Sequence, residues 1–98
     1  MEIITTKEDQ KLTIALSGRL DTETAPRLDE VIDAELEGIE SLVIDFTDLE
    51  YVSSAGLRVL LKAQKRMNAQ GSMVVTKVCP EIMEVFEITG FSDILTIE

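Results

Sequence analysis

Histidine is absent from this chain, and its absence removes more chemistry than any single residue present adds. Without an imidazole there is no Ser-His-Asp or Cys-His nucleophilic relay and no histidine-based metal site. Tryptophan is also missing, and one Tyr and three Phe are the whole aromatic complement, so the core must be aliphatic. Cys79 is the only cysteine, which rules out an internal disulfide and a C-x-x-C redox pair; beside Val78 it reads as a small buried hydrophobe. Positive charge is scarce: nine Lys and Arg stand against nineteen Asp and Glu, a formal net charge of −10. Nucleic acid and anionic membranes are therefore not expected partners, because binding to a phosphate backbone needs clustered Lys and Arg. No apolar run approaches the ~18 residues of a membrane span. The first residues are short, polar and acidic, unlike a secretion signal, and the expected location is cytoplasmic. The five glycines fit neither G-x-x-x-x-G-K-[ST] nor G-x-G-x-x-G. Carboxylates are plentiful but fall mostly at helix-surface and turn positions, so catalysis, a cofactor and a metal are not expected. A small hydrolase is the competing reading from another class, and a broad ester and phosphate panel would detect it.

What is present is enough for one compact core. A length of 98 residues with 45% hydrophobic composition indicates a single domain spanning residues 1–98. Ile3 to Thr6 forms a weak strand, and Lys11 to Gly18 alternates with Leu12, Ile14 and Leu16 on one face, so the two make a hairpin. After a polar loop from Arg19 to Thr24, Thr24 and Pro26 open a helix with the stripe Leu28, Val31, Ile32 and Leu36, ended by Gly38. Ser41 to Phe46 is a continuous apolar run, typical of a central strand covered on both faces. A second amphipathic helix carries Leu57, Leu60, Leu61 and Met67 as far as Gln70 and Gly71. Met73 to Val78 is another strand, Pro80 to Gly90 a third helix, and Ile94 to Ile97 a last strand. The order β-β-α-β-α-β-α-β implies an α/β fold, mostly parallel, with an antiparallel edge hairpin at the N-terminus.

In an open parallel sheet the loops at the carboxyl ends of the strands gather along one edge. Asp21, Thr22, Asp48, Ser53 and Ser54 are therefore expected on one rim. The adjacent serines lie between a strand and a helix, where a side-chain oxygen can cap the helix and the helix end favours an anion. Arg58, Lys62, Lys65 and Arg66 gather on the following helix and read as a solvated basic face, with a specific docking role as the alternative. Arg58 is the odd member, because a cation in the first turns opposes the helix dipole.

Four blocks of the sequence resemble one family. Ser17-Gly18-Arg19-Leu20-Asp21-Thr22-Glu23-Thr24-Ala25 resembles a G-x-L-D-x-x-T-A segment, and Asp45 to Leu61 resembles D-L-x-x-[MV]-[DS]-S-x-G-L. Gln70 to Val75 and Phe86 to Phe91 match two further blocks at the usual spacing. Together they are similar to STAS domains of the bacterial anti-sigma factor antagonists, over essentially the whole chain. The resemblance implies a STAS-like fold and a phosphoprotein that regulates transcription by partner switching, without a cofactor. It implies a serine acceptor at Ser54, with Ser53 as the alternative, since the residue before the acceptor is commonly Asp. The implied partner-binding residues are Asp21, Thr22, Ser53, Ser54, Ala55, Gly56 and Arg58. The implied partners are an anti-sigma factor serine kinase of the GHKL type and a metal-dependent PPM-type serine phosphatase. A STAS adaptor subunit of another complex, such as a lipid-transport ABC system, is the alternative within the same family.

Overall fold

The computed structural model describes residues 1–98. In chain order the elements are β1 (Glu2–Glu8), β2 (Lys11–Leu20), α1 (Ala25–Glu35), β3 (Ser41–Val52), α2 (Ser54–Gln70), β4 (Ser72–Thr76) and α3 (Pro80–Thr89), followed by a 3-10 turn at Phe91–Asp93. The strands form one sheet in the order β1-β2-β3-β4. The first pair is antiparallel and the next two are parallel, as the hairpin and the two αβ crossovers require.

Side-chain alternation decides which face of the sheet is covered. Register aligns Leu12, Leu42 and Met73 in one row and Ile14, Ile44 and Val75 in the next, and all six are buried. Leu28 and Ile32 of α1, Leu60 and Met67 of α2, and Ile82 and Phe86 of α3 complete the same core, with the Phe46 and Phe86 rings 6.2 Å apart. Each such side chain contributes about 1.5–3 kcal/mol when fully buried. The opposite face carries Thr13, Val43 and Val74 in one row, none of them fully buried, and Ile4 beside Ala15 is largely exposed. The apolar run of β3 is thus covered on one face, and the expectation of two covered faces is corrected. All three helices pack against one side, so the molecule has two layers.

β1 runs longer than the expected Ile3 to Thr6, β4 ends at Thr76 where Val78 was expected, and two larger differences bear on the site. β3 continues past Phe46 to Val52 because β2 also continues, to Leu20, and the two strands stay paired. Register shifts between Ala15 and Ser17 and between Gly18 and Arg19 each place an extra residue in β3. These bulges leave Phe46, Leu49 and Val52 buried at a spacing of three, where a regular strand buries every second residue. The final strand expected from Ile94 to Ile97 is reduced to one parallel bridge, Val75 to Ile97. The 3-10 turn consumes the preceding residues, and Ile94 stays helical with its N–H bonded to the Phe91 carbonyl, so only Thr96 to Glu98 reach β4.

The junction of α2 and β4 is tight. A Cβ on Gly71 would lie 1.9 Å from the Glu40 carbonyl oxygen, so only glycine fits there. The Gln70 side-chain amide donates to the carbonyls of Leu36 and Ile39, both at 2.7 Å, which ties the end of α2 to the end of α1.

Candidate functional site at the start of the second helix

The last cross-strand pair of β2 and β3 is Leu20 with Val52. Asp21 and Ser53 follow these two residues directly, so both chains leave the sheet side by side. The Ser53 N–H donates to the Leu20 carbonyl at 2.8 Å and closes this junction. Asp21, Thr22, Ser53 and Ser54 therefore do lie at one end of the β2–β3 ribbon. Asp48 does not: it pairs with Ser17, well before the strand end, and its expected place on the rim is corrected. The cause is the extension of β3, which turns the expected loop into strand.

The two serines have different tasks. Ser53 has an extended backbone (φ −92°, ψ 176°), and its Oγ accepts from the Gly56 N–H at 3.3 Å. It is the N-cap of α2, filling one of the otherwise unpaired amide positions of the first turn. Ser54 is the first helical residue, is exposed, and its hydroxyl makes no hydrogen bond within the chain. The half-buried cap is occupied and the exposed hydroxyl is free. Behind them, Gly56 is pressed against β2: a Cβ there would stand 2.7 Å from Leu20 Cγ and 3.1 Å from the Leu20 carbonyl oxygen. Glycine at this position lets the helix start directly on the strand end, while Ala55 is half-buried and Leu57 enters the core.

Asp21 organises the neighbouring loop. Its Oδ1 accepts from the N–H groups of Glu23 at 3.0 Å and Thr24 at 3.1 Å, and its own N–H donates to Thr24 Oγ1 at 2.8 Å. The Thr24 hydroxyl donates to the Arg19 carbonyl at 2.7 Å. The Thr24 N–H bond is the main cause holding the Asp21 carboxyl below its ordinary value, with Arg19 a smaller contributor. Asp45 is also held low, chiefly by the Thr47 hydroxyl. A depressed folded-state value means stabilisation that is present above the ordinary aspartate value near 3.8 and lost as the pH falls through the lower one. The melting temperature of the wild type is expected to exceed that of Asp21→Asn at neutral pH, and the gap to close under acid. A gap unchanged down to pH of about 2 would show that the Asp21 charge does not support the loop.

Arg19 and Tyr51 form a feature not foreseen in the sequence. They face each other across β2 and β3, with the guanidinium 4.1 Å from the ring centroid and its Nε 3.9 Å from Asp21 Oδ2. Both are exposed on the same rim, and Arg and Tyr are residue types enriched at the centres of interfaces. No motif marks this pair; the signal lies in the cross-strand register, which the bulges conceal.

The basic residues of α2 divide as well. Lys62 Nζ contacts Asp29 at 2.7 Å and Asp33 at 2.8 Å, and these carboxylates hold its ammonium charged above the usual range. Arg66 reaches the Ile32 carbonyl at 3.5 Å. Arg58 and Lys65 are exposed and have no ion pair or hydrogen bond. No group of three or more Cys, Asp or Glu side chains is arranged to hold a metal ion, and no helix is long and apolar enough to cross a membrane.

The family described as "Mlab, STAS domain" matches residues 3–96. BtrV of Bordetella bronchiseptica, whose name assigns it provisionally to the anti-sigma factor antagonists, is 35% identical, with 99% of this chain and 85% of that protein aligned. The anti-sigma-B factor antagonist of Listeria monocytogenes is 34% identical, with coverages of 94% and 82%. Among solved structures, the Bacillus anti-sigma factor antagonist SpoIIAA shares the fold at 17% identity in two forms. The unphosphorylated form has a TM-score of 0.78, covering 99% of this chain and 87% of that one. The phosphorylated form has a TM-score of 0.77, with coverages of 99% and 91%.

Proposed function

This chain belongs to the STAS-domain family, among the anti-sigma factor antagonists, and from that footing we propose that it is a binding module switched by phosphate on Ser54. Unmodified, it occupies an anti-sigma factor, itself a serine kinase of the GHKL type, and so frees a sigma factor. Modified on Ser54, it releases that partner. A PPM-type phosphatase resets the switch. The protein acts in the cytoplasm, through its surface, and performs no chemistry of its own.

The observation that carries this reading is the division of labour between the serines: Ser53 is engaged as the helix cap, and Ser54 offers an exposed, unbonded hydroxyl. A kinase can reach Ser54 without unfolding the turn. Phosphate on Ser54 also sits in the first turn of α2, where the helix dipole favours an anion by about 0.3–1 kcal/mol. The partner-facing rim comprises Asp21, Thr22, Ser53, Ser54, Ala55, Gly56 and Arg58, to which the structure adds Arg19 and Tyr51 as candidates.

Incubation with ATP and each GHKL-type serine kinase of the source organism, followed by mass mapping, tests the acceptor. Phosphate is expected on Ser54 and none on Ser54→Ala. Ser53→Ala should still accept phosphate, while losing about 0.5–2 kcal/mol of stability with its cap. Stoichiometric phosphate on Ser53 of the wild type would assign the acceptor role to the other serine.

A further inference from the structure

Arg58 is the fifth residue of α2 and stands four positions after Ser54. Residues at this spacing are neighbours on one helix face, about 5–6 Å apart at Cβ. Side chains of a helix lean toward its N-terminus, so a long side chain at the later position lies back over the earlier one. Both Ser54 and Arg58 are exposed. Nothing within the chain uses the Arg58 charge. The neighbouring cation, Lys62, is committed to Asp29 and Asp33 of α1, and Asp21 on the adjoining loop faces Arg19. Arg58 lies one turn in from the helix start, where the dipole gives a cation no support.

We propose that Arg58 is the internal receptor for the phosphate on Ser54. The guanidinium presents a planar fork of N–H donors that matches two phosphate oxygens, and an anion N-terminal to a cation at this spacing is the favourable order. Modification then changes the rim twice. It adds negative charge at Ser54, and it withdraws the free cation closest to that charge from the surface offered to a partner. The modified helix start is internally satisfied, which sets it against the partner and for the released state. The inference rests on Ser54 being the modified residue, and its test is independent of any kinase.

The test uses the full chain with phosphoserine incorporated at position 54 during translation, in the wild-type, Arg58→Gln, Arg58→Lys and Lys65→Gln backgrounds. The second phosphate ionisation is followed by phosphorus NMR as a function of pH. With Arg58 present the ionisation is expected about 0.15–0.4 pH unit lower than in Arg58→Gln, the size of one helical ion pair. Arg58→Lys should restore part of the shift, since it keeps the charge and loses the fork. Lys65→Gln removes an equal charge from the same exposed helix and should leave the value at that of the wild type. Equal values for wild type and Arg58→Gln would overturn the proposal. So would an equal displacement in Lys65→Gln, which would mean that only net charge matters. Failure here with kinase-made phosphate mapped to Ser54 would remove the receptor and leave the switch; absence of phosphate on Ser54 would remove the switch and leave this measurement standing.

Discussion

Leu60→Ala is expected to cost about 2–5 kcal/mol, while Ser54→Asp in the same helix should change stability by about 1 kcal/mol or less. Leu60 is fully buried between α2 and the covered face of the sheet. Truncating it removes three heavy atoms from a closely packed, largely aliphatic core. The cost then includes the cavity as well as the lost transfer energy. For a domain of ordinary stability, about 5–15 kcal/mol, this is a large fraction of the whole. Ser54 is different in each respect. It is exposed, its hydroxyl holds nothing, and Ser53 keeps the cap whatever stands at position 54. A carboxylate in the first turn also complements the helix dipole. Urea melts of the two variants beside the wild type decide the matter. If the Asp variant proved the more damaged, Ser54 would have to be part of the packed structure, and a phosphate there could not be displayed without unfolding the turn.

Most of the fold was legible because most of its elements are regular. The helical stripe ending at Leu36, the alternation of Leu12, Ile14 and Leu16, and the glycines at 38, 71 and 90 mark elements whose burial follows the expected period. The reading failed where the period changed. From Phe46 to Val52 two bulges convert a spacing of two into a spacing of three, and a pattern search takes that for a loop. That one feature hid the length of β3, displaced Asp48 from the rim and concealed the Arg19–Tyr51 pair. The apolar residues Val43 and Val74 misled for a different reason: a residue type indicates preference for burial, and only the packing of the helices on the other face shows that this one is uncovered. At the candidate site, the position of the serines was legible from the strand–helix boundary. Which of them is the cap was not, because capping depends on backbone angles: ψ of 176° at Ser53 turns its oxygen toward the Gly56 N–H.

Phosphate on Ser54 is expected to weaken binding of the partner kinase about a hundredfold, with the domain still folded. The modification brings about −1.5 to −2 charges to the rim. A partner carboxylate about 6 Å away would be repelled by roughly 3 kcal/mol per unit charge at an effective dielectric near 20. About 3 kcal/mol is a hundredfold in affinity, so a single such contact suffices, and loss of close packing around the added group acts in the same direction. Ser54→Asp adds one charge and less bulk, and its effect should be smaller than that of the phosphate. Because the contact is at the surface, raising the salt from about 0.05 to 0.5 M should return part of the lost affinity. Titration calorimetry with the purified kinase in the absence of ATP, against the unmodified, phosphorylated and Asp chains, measures all three terms. Equal affinities for the unmodified and phosphorylated chains would rule out electrostatic release, and Ser54 would then lie outside the contact. A loss for the phosphorylated chain that ignores salt would instead assign the switch to steric exclusion at the tight junction of Gly56 and Leu20, where the start of α2 has no room to retreat.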